Sequence, residues 1–143
     1  MADELNTGLL LYIPYRSLES RVFAAVTEAG YEITTAQMKL MQRIGPNGTR
    51  LTDLAEQAQV TKQTAGVLVD NLEKGGWIER VDDPTDKRAR LVRISAKAQK
   101  VIPIAEAAVA EVEAEWEAHL GREQLAQLRR ILTRLREVTD PYA

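Results

Sequence analysis

A chain of 143 residues with 45% apolar and 28% charged side chains has the size and balance of one folded domain, which argues against disorder and fibrous repeats. It contains no cysteine and one histidine, His119, so disulfides and thiol redox chemistry are excluded and a zinc site has few ligands. No run of roughly 20 apolar residues and no basic leader is present, which predicts a cytoplasmic protein without a membrane partner.

The net charge of −2 conceals an uneven distribution. Residues 34–100 hold twelve basic and eight acidic side chains, a net charge of +4. The flanking segments, 1–33 and 101–143, each carry a net charge of −3. A basic centre between acidic ends favours contact of the central segment with a polyanion, while the ends serve another purpose.

The N-terminal part of the chain reads as two helices. Apolar residues at steps of three and four predict a long helix from about Leu5 to Ala29. Pro14 predicts a kink in that helix or a start near it, because proline removes one backbone hydrogen bond. A second helix follows, capped by Thr34 or Thr35 and ended by the turn sequence GPNG at residues 45–48.

Two short helical periods follow within residues 51–76. Thr52 is expected to cap the first helix and Thr61 the second, because a hydroxyl there can accept a free backbone N–H. Gly75 and Gly76 are expected to end the second helix. Two helices joined by about three residues predict a helix-turn-helix.

The C-terminal half begins with a predicted hairpin. Strands at Trp77–Val81 and Ala89–Ser95 pair across the polar sequence DDPTDKR, which is expected to form a long loop. From Ala96 onward, apolar periodicity predicts two more helices separated near Gly121. The fold class is therefore mainly α with a small β-wing.

The second helix of the helix-turn-helix has a polar face suited to nucleic acid. A helix fits the major groove, where lysine and glutamine can donate to base acceptors. An ordinary surface helix would show the same pattern, and Asp70 would repel phosphate. The residues predicted to face DNA are Thr61, Lys62, Gln63, Thr64, Gly66 and Lys74.

The hairpin loop supplies a second cationic element. Lys87, Arg88 and Arg90 are expected at its tip, where arginine can enter a narrow minor groove. Asp86 can hold the Arg88 guanidinium in a bidentate geometry that orients it. A solvated hairpin is the alternative for the loop alone. Helix, hairpin and positive centre in succession favour double-stranded DNA as the partner.

The sequence LTDLAEQAQVTKQTAGVLVDNLEKGGWIERVDDPTDKRARLVRIS, followed by AKAQKV, resembles the winged-helix core of the MarR family of transcriptional regulators. The acid-x-arginine sequence Asp86-Lys87-Arg88 matches the family's wing motif, and the flanking helices extend the resemblance over nearly the whole chain. It implies a homodimer that binds a palindromic operator. One domain, 1–143, would then contain a DNA-binding winged helix-turn-helix lobe at 30–100 and dimerisation helices at 1–29 and 101–143.

The resemblance also implies roles for individual segments. The helix from Thr61 to Lys74 would be the recognition helix, and LTDLAEQAQV the helix that supports it. Arg88 would enter the minor groove, positioned by Asp86. Residues 49–51 would form a short third strand.

A small aromatic or phenolic effector that releases the DNA is a further implication of the resemblance. The candidate residues for binding this effector combine aromatic and soft apolar groups with one cation. Packing in the protein core explains the same residues equally well. The candidate pocket residues are Tyr12, Tyr15, Arg16, Met38 and Met41.

Other functions have less support in the sequence. No nucleophile elbow or glycine-rich phosphate loop indicates an enzyme, and no cofactor is implied. Glutamates 111, 113, 115 and 117 alternate along a helix instead of converging on a metal. A protein-protein interaction module and a nonspecific architectural DNA binder remain alternatives to a regulator, which we expect to be a repressor.

Overall fold

The computed structural model describes residues 4–142 of the chain. They form two compact units. The central unit is Val26–Ile104, and the terminal unit comprises the chain up to Ala25 and from Ala105 onward. Across residues 4–142, the structure contains no helix with the length and apolar character that a membrane span requires.

The fold is mainly helical with a small antiparallel sheet, as the sequence predicted. The helices are α1 (Thr7–Glu28), α2 (Thr35–Met41), α3 (Leu51–Ala58), α4 (Lys62–Lys74), α5 (Ala96–Leu120) and α6 (Arg122–Thr139). The strands are β1 (Thr49–Arg50), β2 (Ile78–Asp83) and β3 (Asp86–Ile94). Pro14 lies inside α1, so that helix begins well before the proline. Helix α2 ends at Met41, ahead of the GPNG turn.

The central unit is built around one apolar core. Leu54 of α3, Val69 of α4 and Leu72 of α4 are fully inaccessible to solvent. Burial of each such side chain contributes about 1.5–3 kcal/mol relative to leaving it exposed. The buried members of this core are Val26, Ile33, Leu40, Ile44, Leu54, Ala55, Ala65, Val69, Leu72, Trp77, Ile78, Val92 and Ala98.

The helix caps confirm two sequence predictions and correct a third. Thr34 caps α2 with a full capping box, in which the side chains of Thr34 and Gln37 each accept the other's backbone N–H. Thr61 caps α4 by accepting the Thr64 backbone N–H at 3.0 Å. The predicted Thr52 cap is wrong, because α3 begins at Leu51 after Arg50, which provides no side-chain cap.

The sheet has the order β1-β3-β2, and both pairs are antiparallel. The predicted long loop between the hairpin strands is wrong. Strand β2 continues to Asp83 and β3 starts at Asp86, with a shift in register between Asp82 and Asp83. Backbone pairing thus continues through the polar residues, leaving a turn at Pro84 and Thr85. The third strand implied by the resemblance is β1.

The terminal unit contains most of α1 and α5 and all of α6. Arg21 bridges Glu111 at 3.2 Å and Glu115 at 2.8 Å, and this pairing lowers the pKa of Glu115 below its ordinary value. Arg129 pairs with Glu113 at 2.7 Å. Three of the four alternating glutamates therefore form ion pairs within this unit.

Candidate nucleic-acid interface

Helix α4 is seated by one face and presents the other to solvent. Ala65, Val69 and Leu72 are buried in the central core. The turn from α3 into α4 is made possible by Gln59, which adopts a left-handed conformation with φ of 58°. That conformation is uncommon for a residue other than glycine. The exposed residues of the first turn are Thr61, Lys62, Gln63 and Thr64.

The acidic residues of α4 are paired with the wing. Arg80 of β2 reaches Asp70 and Glu73, with nitrogen to oxygen distances of 2.7 Å to each. The hydrogen bond to Asp70 is the largest cause of the raised pKa of Arg80. This pairing offsets the negative charge of Asp70 and Glu73 on α4, and it joins that helix to the hairpin.

Asp83 forms a polar junction at the end of the wing. Its Oδ1 accepts from the backbone N–H and the hydroxyl of Thr85, at 2.8 and 2.7 Å. Its Oδ2 accepts from Nε and NH2 of Arg50, at 2.9 and 2.7 Å. These bonds, led by the Thr85 hydroxyl, lower the pKa of Asp83 from 3.8 to about 2. The turn is thereby tied to β1.

The predicted contact between Asp86 and the Arg88 guanidinium is wrong, because Asp86 bonds the backbone of Arg88 and not its side chain. Oδ1 of Asp86 accepts the backbone N–H of Arg88 at 2.9 Å. Its Oδ2 lies 3.9 Å from NH2 of Arg50. An aspartate commonly bonds the backbone two residues on, and here that local bond replaces the side-chain pair. Asp86 therefore shapes the strand entry and leaves the Arg88 guanidinium unheld.

The expected cations of the wing belong to a strand, not to a loop tip. Lys87, Arg88 and Arg90 lie on β3 and are exposed. Within residues 4–142, neither Lys87 nor Arg88 forms an ion pair. The nearest carboxylate to Arg90 is that of Asp82, at 4.0 Å. Their charges are therefore available to a polyanion.

A groove of about 380 Å³ is lined by residues of both α4 and the wing. Lys62 from α4 and Arg90 from β3 both line it. Arg50 and Thr52 also line it, although the sequence analysis assigned Thr52 only to a helix cap and Arg50 only to a short strand. Nothing in the local sequence marked either residue as a DNA contact. Lys74, also predicted to face DNA, lies roughly 18 Å along α4 from Lys62.

The candidate effector residues fall into two units. Tyr12, Tyr15 and Arg16 belong to the terminal unit, where the Arg16 guanidinium lies 6.0 Å from the centre of the Tyr12 ring. Burial and then a hydrogen bond to Glu19 raise the pKa of Tyr15 to about 12. Met38 and Met41 belong to the central unit and pack partly buried against its core.

A helix-turn-helix followed by a cationic hairpin, with a short strand before the first helix completing the sheet, defines the class of winged helix-turn-helix proteins. The MarR family model matches residues 31–89, which include the helix-turn-helix and most of the wing. The regulator FarR of Neisseria gonorrhoeae is 28% identical over 109 residues, covering 76% of this chain and 75% of FarR.

Solved structures agree with this match. The apo structure of MarR from E. coli has a TM-score of 0.73 and 21% identity, covering 93% of this chain and 98% of that one. The Mycobacterium tuberculosis MarR family protein Rv2887, in complex with salicylic acid, has a TM-score of 0.66 and 27% identity, covering 94% and 99%. Residues 31–89 therefore match the MarR family, and the chain has the winged-helix fold of MarR family transcriptional regulators.

Proposed function

We propose that this protein is a repressor that binds a palindromic operator as a homodimer and leaves it when a small aromatic or phenolic molecule binds. The observation that carries the DNA contact is the groove shared by Lys62 and Arg90, beside the unpaired cations Lys87 and Arg88. The first turn of α4 would enter the major groove, and Arg88 the minor groove.

The homodimer is supported by the apolar surface of the terminal unit. Of the fifteen large hydrophobic residues that are exposed within residues 4–142, thirteen belong to this unit. They include Leu9 and Leu10 on α1 and Ile131 on α6. A groove of about 800 Å³ runs among them, lined mostly by apolar side chains together with His119, Gln124 and Gln127. Monomers rarely expose so much apolar surface, and a second copy of the chain would cover it.

A palindromic operator follows from the symmetry of such a dimer. The two copies of α4 would be related by a two-fold axis, so each would bind the same half-site sequence in opposite orientation. For dimeric helix-turn-helix proteins the half-sites lie about 34–36 Å apart, which is one turn of B-DNA.

The proposed effector is an aromatic or phenolic molecule. The complex of Rv2887 with salicylic acid supports this choice, since that protein shares the fold at 27% identity. In this chain, Arg16 offers a cation for a carboxylate and Tyr12 an aromatic face beside it. Tyr15, Met38 and Met41 are the remaining candidates for contact with the effector.

The test is binding of the purified protein to its own upstream intergenic DNA, compared with an unrelated duplex of equal length at low and moderate salt. Specific binding that weakens steeply with salt is expected, because phosphate contacts release counterions. Equal binding to both duplexes would indicate an architectural role instead. Absence of binding to either would favour a protein-protein interaction module. Salicylate added to the specific complex then tests release.

A further inference from the structure

One residue on the recognition helix does not fit a purely cationic surface. Val67 is 56% exposed. In the described part of the central unit, Ile102 is the other exposed large hydrophobic residue, at 37%. The large apolar residues of this unit are otherwise buried or half-buried within the described residues. An exposed valine in the middle of α4 therefore has no structural role that the central unit explains.

The neighbours of Val67 form an open and uncharged strip. Gln63 precedes it by one helical turn and is exposed on the same face. A side chain added at Gly66 would meet no protein atom within 4 Å, so internal packing does not require the glycine. Asp70, one turn further on, is held by Arg80 at 2.7 Å. The strip allows close approach of another molecule at Gly66 and Val67.

We infer that Val67 contacts the 5-methyl group of a thymine in each half-site and thereby contributes to operator specificity. The inference rests on the proposed function, in which α4 lies in the major groove. Thymine presents the one apolar group among the major-groove edges of the four bases. Against the other bases, a valine would displace water from donors or acceptors that it cannot satisfy.

The experiment begins with selection of duplexes that wild-type protein binds from a random pool. Each thymine of the selected site is then replaced by uracil, which lacks only the 5-methyl group. Affinities are measured by fluorescence anisotropy for the wild type and for Val67→Ala. Lys62→Ala serves as the matched control on the same helix, because loss of a charge does not depend on the thymine methyl.

For the wild type, we expect one thymine per half-site at which uracil weakens binding by about fourfold, the value of one buried methyl group. The Val67→Ala protein should bind thymine and uracil duplexes equally at that position. The Lys62→Ala protein should bind both more weakly but keep the fourfold ratio. In a further duplex, cytosine replaces the thymine at that position and should weaken binding. Replacing this cytosine by 5-methylcytosine should restore part of the affinity for the wild type alone.

Two results overturn the inference and are distinguishable from each other. If a specific site is selected but uracil has no effect, or the thymine preference persists in Val67→Ala, the valine contact is wrong while operator binding stands. If no sequence is enriched from the pool, the proposed function fails and the inference fails with it.

Discussion

The two units of this chain differ in whether their apolar residues are buried or exposed. The central unit buries thirteen in one core and exposes Val67 and Ile102 among its described residues. Among the described residues of the terminal unit, the buried hydrophobic residues are Val22, Ala108, Val112 and Leu125, whereas thirteen large hydrophobic residues are exposed. The central unit buries its apolar residues by itself, whereas the terminal unit leaves an apolar surface that the proposed dimer partner would cover. In the proposed function, DNA recognition and dimer assembly therefore belong to different units of the chain.

The largest effect is expected from replacing Ile131 with aspartate, which should convert the proposed dimer into monomers. Ile131 is 52% exposed in the single chain. An unpaired carboxylate buried in an apolar interface costs roughly 3–5 kcal/mol, which lowers the dimer affinity by at least about a hundredfold. Sedimentation velocity over a range of protein concentrations measures the change.

Thr133→Asp is the matched control for this variant. It adds the same charge to α6, at an exposed position whose hydroxyl donates to the Arg129 carbonyl at 2.7 Å. We expect it to remain dimeric. If Ile131→Asp also stayed dimeric at low concentration, the apolar surface of the terminal unit would not be the interface.

The Arg88→Ala variant should separate recognition from assembly. Loss of a charged contact in the DNA groove is expected to weaken operator binding by roughly tenfold to a hundredfold. Dimerisation and thermal stability should not change, because Arg88 is exposed and forms no ion pair within residues 4–142. Anisotropy with operator DNA and thermal unfolding measure the two properties.

Arg93→Ala provides the comparison on the same strand. Arg93 is already paired with Glu79, with NH2 2.6 Å from Oε1. Its removal should alter DNA affinity far less than Arg88→Ala. Unchanged affinity in Arg88→Ala would show that the wing assignment is wrong.

The Asp83→Asn variant tests whether the Asp83 carboxylate stabilises the central unit in a pH-dependent way. The pKa of Asp83 is lowered in the folded chain from 3.8 to about 2. The unfolded chain therefore takes up the proton first as pH falls, so this contribution to stability is full above pH 4 and is lost towards pH 2. The asparagine variant should be less stable at neutral pH, and its stability should fall less steeply below pH 4. Identical pH profiles from chemical denaturation would contradict this account.

The smallest effect is expected from Gly66→Ala. Alanine in a helix interior is more stable than glycine by about 0.5–1 kcal/mol, and no protein atom lies within 4 Å of the added methyl group. The melting temperature should therefore rise while operator affinity falls, since the methyl group obstructs close approach of DNA. A rise in both quantities would show that the open strip is not a contact surface.

What the sequence by itself determined lies in short stretches of chain. The ends of α4 at Thr61 and Gly75 were predicted from sequence, because capping and helix termination depend on residues within one turn. The helices on either side were predicted from apolar periodicity, which needs no knowledge of the partner surface. The wing motif indicated the resemblance to the MarR family for the same reason, since its residues are contiguous, and the family model matches residues 31–89.

The end of the wing was predicted less well. Strand prediction relies on alternation of apolar and polar residues, and Asp82–Arg90 offers none because both of its faces meet solvent or charged groups. The strands continue there because backbone groups pair regardless of the side chains they carry. The Thr52 cap was wrong because a hydroxyl at the right spacing does not determine where the preceding strand ends.

The electrostatic organisation was decided only by the tertiary structure. Arg50 and Asp83 are separated by 33 positions, and Arg80 lies 10 positions from Asp70. No local pattern selects such partners among the 19 basic and 21 acidic residues of the chain. Only the folded sheet brings Asp83 to β1 and Arg80 to α4. That arrangement pairs the acidic residues of α4 with Arg80, while Lys87 and Arg88 form no ion pair within residues 4–142 and are available to a polyanion.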